Sequence, residues 1–474
     1  MWPACSLFVN GLRKFFFWEE RNSLYGELIY IMELTQLTDI MRKNGIVGAG
    51  GAGFPSYAKL NKSADTIILN CAECEPLLKL HRQVMEKYAY EIMSALSEIA
   101  EAVEAKDVII GIKGSYKDAV NAVKANLGSF KNMRIGLLPE IYPAGDEVVL
   151  IYETTGRVVP PGTIPISVGV TVFNVETALN VYNAIHHVGP VYTKYVTVAG
   201  EVKNPVTLKV PLGMTNAELI DLAGGATIDD YALISGGPMM GRLCQPYETV
   251  TKTSSAILVL PKNSFAIAKR TAKTSIDVKR AMAACCQCQI CTNLCSRHAL
   301  GHPIEPHAFM RSVSSGNGTN IRPLVNTYFC SQCGICEMYA CFNGLSPRTL
   351  IGAYKVDLKK AGVPMPKDVK VKPIEHERDY RLVNKERLTE RLGLGQYDGP
   401  APLVDVEVKP KKVKLAMSQH IGAPGSPVVK VGETVKAGQI VSDVSADKLG
   451  VPVHASIDGV VVDINDRFIT IEAK

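Results

Sequence analysis

The 474-residue chain has no uninterrupted apolar run of 18 residues, about the least that spans a bilayer as a helix. A direct membrane span is therefore not expected. Strong charge of one sign is also missing: 52 basic residues stand against 46 acidic ones, a net +6 spread along the chain. Nucleic-acid binders concentrate basic charge on one face, so nucleic acid is not an expected partner. Residues 2–31 mix aromatics with charges and lack both a clean apolar segment and a small-residue cleavage site, so no secretion signal is recognised. No His-Asp-Ser constellation stands out.

What is present is a globular composition, with 47% hydrophobic and 21% charged residues. At about 100–200 residues per domain, the length predicts three or more domains. From Met32 the chain reads as a real beginning, because Leu34, Leu37, Ile40 and Met41 lie at helical spacing. Residues 1–31 read as an upstream extension, either an over-called start or an amphipathic helix that directs the chain into a larger assembly. Thirteen cysteines without a secretion signal, eight of them in two tight runs, predict a reduced cytoplasmic metalloprotein.

Cys285, Cys288, Cys291 and Cys295 form C-x2-C-x2-C-x3-C, and Cys330, Cys333, Cys336 and Cys341 form C-x2-C-x2-C-x4-C. Three thiolates at this spacing wrap one face of a [4Fe-4S] cluster, and in two-cluster ferredoxins the fourth cysteine of each run serves the other cluster. That rule pairs Cys285, Cys288 and Cys291 with Cys341, and Cys330, Cys333 and Cys336 with Cys295. Zinc sites favour two widely separated C-x2-C pairs, a poorer match. Ser296 and Phe342 replace the proline that often follows the fourth cysteine, and Cys286 is out of register and reads as a spare.

Clusters relay single electrons and need a source. Gly48-x-Gly50-x-x-Gly53 follows a helical pattern, not a strand, so it is a poor dinucleotide fingerprint of the ordinary kind. Glycines this dense still let backbone approach something flat or anionic. DTIILN (Asp65 to Asn70) reads as a strand ending in CAECEP (Cys71 to Pro76), and carboxyl ends of strands collect ligands. YPAGDE (Tyr142 to Glu147), a TGR-x-VP phrase and NVET (Asn174 to Thr177) follow.

In that order these motifs resemble the flavin-binding subunit of respiratory complex I and, more closely, the C subunit of the Rnf complex. The resemblance covers about residues 46–184 and implies a Rossmann-like fold for FMN and NADH. It implies that Gly48, Gly50, Gly51 and Gly53 line the FMN phosphate and ring with Lys59 nearby, and that Asn70 and Glu73 meet the flavin from the strand end. Gly145, Asp146 and Glu147 would lie under the isoalloxazine, Asn174 and Thr177 would close the phosphate side, and Phe54 and Glu75 would face the nicotinamide nucleotide. Two positions depart: Ala72 stands where complex I is acidic, and Gly162–Pro165 lacks the phenylalanine that stacks adenine.

Lys194 to Gly225 resembles a soluble-ligand-binding β-grasp domain, serving either as a structural bridge or in ligand contact. The V-x-x-G-E-x-V-x-x-G phrase from Val429 and the later HASIDGVV resemble a barrel-sandwich hybrid, the fold of lipoyl carriers, with Lys448 near the lipoyl position. The expected architecture is multidomain α/β: an extension (1–31), a flavin domain (32–190), a β-grasp domain (191–265), a two-cluster ferredoxin-like helical domain (266–354), a linker with one helix near Asn384–Gly393 (355–414) and the barrel-sandwich hybrid (415–474). With the barrel last, this order resembles the cobalamin reductases of propanediol-utilisation microcompartments. That resemblance implies NADH as donor, FMN and two [4Fe-4S] clusters as cofactors, and a cobalamin as acceptor. A cobalamin adenosyltransferase or a microcompartment shell protein would be the partner. The open alternatives are an Rnf-type subunit reducing ferredoxin, a donor to an amino-acid reductase, and an electron-relay scaffold without an NADH site. His298, His302 and His307 read as surface or packing residues, with an acceptor-capping or cobalt-binding role as the alternative.

Overall fold

A computed structural model describes residues 32–316 and 319–474; the expected extension, 1–31, lies outside the described residues. The first domain is built on a parallel sheet whose strands run in the order Met133–Leu138, Asp107–Lys113, Thr66–Cys71, Val170–Asn174. Its β-branched runs are buried on both faces, as a parallel sheet requires. Ile67 and Leu69 pack with the helices Leu80–Lys87, Ala89–Val103 and Val175–Ile185. Ile68 points the other way, into the helix Glu147–Thr155. The strand order reverses between Thr66–Cys71 and Val170–Asn174, so a crevice opens at Asn70 and Asn174, which are register partners.

A mixed six-stranded sheet follows, with Thr193–Gly200 and Val206–Pro211 antiparallel and Ala256–Pro261 parallel to the first of them. Its helix Asn216–Leu222 starts on a capping box: the Glu218 N–H donates to Thr215 Oγ1 at 3.2 Å, and the Thr215 N–H donates to the Glu218 carboxylate at 2.7 Å. The cysteine runs lie on short helices between Thr274–Ala284 and Pro347–Lys360, packed around Phe309, Met310, Leu350 and Ile351.

The stretch 355–414, expected as a linker, is pinned at several points. Val383–Asn384 adds a strand to Ile141–Tyr142, the helix Lys385–Arg391 follows with Asn384 as its N-cap, and Leu403–Val404 joins the edge of the six-stranded sheet. Its Lys, Glu and Pro content masks a few buried anchors, Val383, Leu388, Leu392 and Leu394. The last domain has two small antiparallel sheets, its first strand being Lys412–Ala416. Its interior, including Val413, Val441, Val461 and Ile471, is continuous with the β-grasp core around Val196 and Leu219. No helix among the described residues is long and apolar enough to cross a membrane.

Candidate functional site

The glycine loop is closed at its base by a bridge between Val47 and Pro55 and by the Gly48 N–H donating to the Phe54 carbonyl at 2.9 Å. A Cβ on Gly50 or Gly51 would meet nothing within 4 Å, so the crown of the loop is open. Gly53 differs: its φ is +68°, and a Cβ there would lie 2.6 Å from Thr253 Cγ2 and 3.2 Å from His420 Cβ. Ala49 N–H donates to Thr177 Oγ1 at 2.9 Å, which fixes the loop to the start of the helix Val175–Ile185. Asn174 caps that helix through the Glu176 N–H at 3.0 Å. Lys59 Nζ donates to the Val172 carbonyl at 3.1 Å and pairs with Glu147 at 3.3 Å. Asn70 Nδ2 donates to the Gly145 carbonyl at 2.9 Å. The crevice thus gathers the glycine loop, Lys59, Asn70, Gly145, Asp146, Glu147, Asn174 and Thr177, with Phe54 partly exposed at the loop's base. Bare glycine backbone beside a helix N-terminus fits a phosphate, and the open crown leaves room for a flat ring.

The two glutamates of CAECEP are engaged elsewhere. Glu73 is buried, and its carboxylate accepts from His81 N–H at 3.0 and 3.1 Å, capping the helix Leu80–Lys87. Glu75 accepts from the Met239 and Met240 N–H groups at 2.8 Å each, and burial raises its pKa. Orphan amides at a helix start and a tight turn draw in these carboxylates, which the motif alone does not disclose.

The thiols collect in two cavities. One is lined by Cys285, Cys288 and Cys291 together with Cys341. The other is lined by Cys330, Cys333 and Cys336 together with Cys295. The fourth cysteine of each run is therefore exchanged. Gln287, Gln289, Gln332 and Gly334 take positive φ, which turns the backbone sharply between ligand positions. Amides aim at sulfur: Gln332 N–H at Cys330 (3.4 Å) and Leu345 N–H at Cys341 (3.3 Å). Burial pushes Cys291 up to about 12 and Cys295 up to about 11. Such buried sulfurs become thiolates only when a positive centre compensates the charge, which fits a metal cluster. Among the described residues, no three His, Cys, Asp or Glu side chains close on a single ion. Cys286 lies exposed at the rim of the first cavity.

The histidines are packed. His302 Nε2 meets the Val159 carbonyl at 2.9 Å, and burial pushes its pKa down to about 4. His298 Nδ1 meets the Ile304 carbonyl at 3.1 Å, and His307 Nδ1 meets Thr292 Oγ1 at 2.8 Å. Lys448 is exposed on a turn whose neighbouring carbonyls, Ser445 and Ala446, accept from Arg42 at 3.0 and 3.2 Å. That turn is docked against the flavin domain.

Three connections carry no sequence signal. Tyr142 OH donates to the Cys333 carbonyl at 2.6 Å. Arg297, two residues past Cys295, grips Asp146 through Nε at 3.1 Å and NH2 at 2.9 Å. Ile421 N–H donates to the Ala52 carbonyl at 3.0 Å, so the last domain rests on the glycine loop. The crevice loop Tyr142–Glu147 therefore touches the second thiol cavity directly.

Known families divide the chain in the same sequence. The Nuo51 FMN-binding domain family matches residues 41–183, the SLBB domain 195–243, the 4Fe-4S dicluster domain 284–346 and the RnfC barrel sandwich hybrid domain 401–474. The C component of the Na+-translocating ferredoxin:NAD+ oxidoreductase complex from Acetobacterium woodii is 33% identical over 275 residues, 56% of this chain and 59% of that protein. The cobalamin reductase PduS of Salmonella typhimurium is 40% identical over 437 residues, 92% of this chain and 96% of the relative. The Citrobacter freundii cobalamin reductase PduS is 41% identical over 432 residues, 91% of this chain and 95% of its own length. Matching such relatives almost end to end, in all of its domains, the chain belongs to the cobalamin reductase PduS family.

Proposed function

We propose that the chain is an oxidoreductase that passes electrons from NADH through FMN and two [4Fe-4S] clusters to a cobalamin. The observation that carries this is the direct contact of the crevice loop with a four-cysteine cavity, through Tyr142 and Cys333. Bound FMN supplies the conversion of a two-electron donor into single-electron steps, and bound clusters supply the one-electron relay. Overall, NADH becomes NAD+, one proton goes to solvent, and two electrons each lower a cobalt centre by one charge.

The protein's own part is placement. The amides of Gly50 to Gly53, with the helix start at Asn174 and Thr177 beside them, would receive the phosphate. Lys59 and Asn70 hold the crevice wall, and Gly145 lets the loop pack close to it: a Cβ there would lie 3.3 Å from Cys74 Sγ. Asp146 and Glu147 begin the helix beneath, and Phe54 offers a partly exposed ring to the nicotinamide nucleotide. Glu73 and Glu75 support this frame from behind. The relatives' name and the barrel-last domain order support cobalamin as acceptor, with a cobalamin adenosyltransferase or a shell protein of a propanediol-utilisation microcompartment as partner.

Full-length protein reconstituted with iron, sulfide and FMN under anaerobic conditions tests the reading. NADH is expected to bleach the flavin and then to reduce hydroxocobalamin faster than ferredoxin. Faster reduction of ferredoxin would favour the Rnf-type role, and no bleaching at all would remove the NADH site.

A further inference from the structure

Arg297 occupies a junction that the relay as such does not require. It sits on the short helix Ser296–Ala299 and lines the cavity of Cys295, Cys330, Cys333 and Cys336. Its guanidinium reaches across to Asp146, with NH2 2.8 Å from Oδ1 and Nε 3.1 Å from Oδ2. The side chains are only 20% and 9% exposed, so the pair is screened far less than a surface ion pair. Asp146 is at the same time the N-cap of the helix Glu147–Thr155, accepting from Val148 and Val149 N–H at 3.0 and 3.4 Å. One carboxylate thus ties the crevice loop, a helix start and the thiol cavity together.

The charges are ordered as well as paired. Arg297 lines the cavity itself and Asp146 lies against it at 2.8 Å, so a positive and a negative charge stand side by side at the cavity's edge. An arginine remains protonated at any working pH, so its contribution is permanent.

We infer that Arg297 is a positioning residue: it clamps the flavin loop to the Cys330–Cys336 cavity, and with Asp146 it sets how readily a cluster there accepts an electron. This rests on the relay reading above. Cluster potentials follow net charge and hydrogen bonding near the sulfurs. Removing Arg297 withdraws a positive charge and also leaves Asp146 uncompensated, so the reduced cluster is disfavoured twice over. Removing the charge of Asp146 does the reverse. Neither Arg297 nor Asp146 lines the other cavity, whose lining contains no Lys, Arg, Asp or Glu.

The test is an EPR-monitored redox titration of the full-length holoprotein, with iron, sulfide and flavin counted first. Arg297→Gln is expected to shift one of the two cluster midpoints downward and Asp146→Asn to shift the same midpoint upward. The other midpoint stays fixed, and the double variant returns close to wild type. Arg297→Lys, which keeps the charge but not the fork, holds the midpoint near wild type while slowing flavin-to-cluster transfer. Unmoved midpoints in both single variants, at wild-type iron and flavin content, overturn the inference and leave the relay intact. If Arg297→Gln cannot retain its iron, Asp146→Asn alone decides by the presence or absence of the upward shift. Wild-type protein carrying zinc in place of iron overturns the relay and this inference together.

Discussion

Cys333 and Cys336 are buried, Cys333 packing against Tyr142 and Met239, whereas Cys288 across the same helical domain reaches solvent. The inner cavity has Arg297 and Arg348 in its lining and Lys355 Nζ 3.3 Å from the Cys330 carbonyl. The outer cavity is lined by neutral polar groups, among them Gln287, Gln289 and Asn343, with exposed Phe342 beside them. Identical ligand chemistry has thus been placed in two different settings. The inner site faces the flavin loop and the outer site faces solvent, which gives the proposed relay a direction.

The largest expected effect comes from removing one site at a time. Cys333→Ala with Cys336→Ala should cut iron content by roughly half, one cluster of two, and leave NADH able to bleach flavin without reducing the surviving cluster. Cys288→Ala with Cys291→Ala should remove as much iron, yet NADH should still reduce the cluster that remains, as seen by EPR. Cobalamin reduction is lost in both. If the two pairs behave in the opposite way, the direction is reversed.

A step smaller is Gly53→Val, which puts a β-branched side chain at a positive φ against Thr253 and His420. It should cost about 1–3 kcal/mol, lower Tm and reduce bound flavin without touching iron. Tyr142→Phe removes only the hydroxyl on the Cys333 carbonyl. About 1 kcal/mol of stability should go with it, and flavin-to-cluster transfer should slow while both iron and flavin stay at wild-type levels.

The last expectation touches stability alone and concerns the seam between domains. Lys252 is fully buried, and its Nζ donates to the Gly45 and Pro452 carbonyls at 2.7 Å each. Burial pushes its pKa down to about 7 from an ordinary 10.5. Between those values the unfolded chain binds the extra proton, so this group's contribution to stability rises with pH across the window and is lost as pH falls toward 7. Measured as Tm against Lys252→Met, wild type should gain steadily from neutral toward alkaline pH.

The cysteine runs were legible because three sulfurs two residues apart answer to one geometric demand, wherever the chain goes next. The exchanged pairing of Cys295 and Cys341 followed from the same rule. Gly48 to Gly53, Asn70, Gly145 and Thr177 were legible as an ordered set of motifs. Glu75 was not: its carboxylate meets two amides more than 160 residues away, a contact that depends on how two domains dock. Arg297 was hidden for the same reason, as an ordinary residue whose partner, Asp146, lies 151 positions earlier. The stretch 355–414 was the hardest to read, because its anchors are single apolar residues in a polar background.

Because Ile421 and His420 rest on the loop made by Gly48 to Gly53, vectorial synthesis imposes an order on assembly. Domains fold from the amino end as they emerge from the ribosome, so the glycine loop is made long before its cover. The growing chain therefore passes through a stage in which the base of the loop at Gly53 lacks its support, and the arrival of the barrel supplies it.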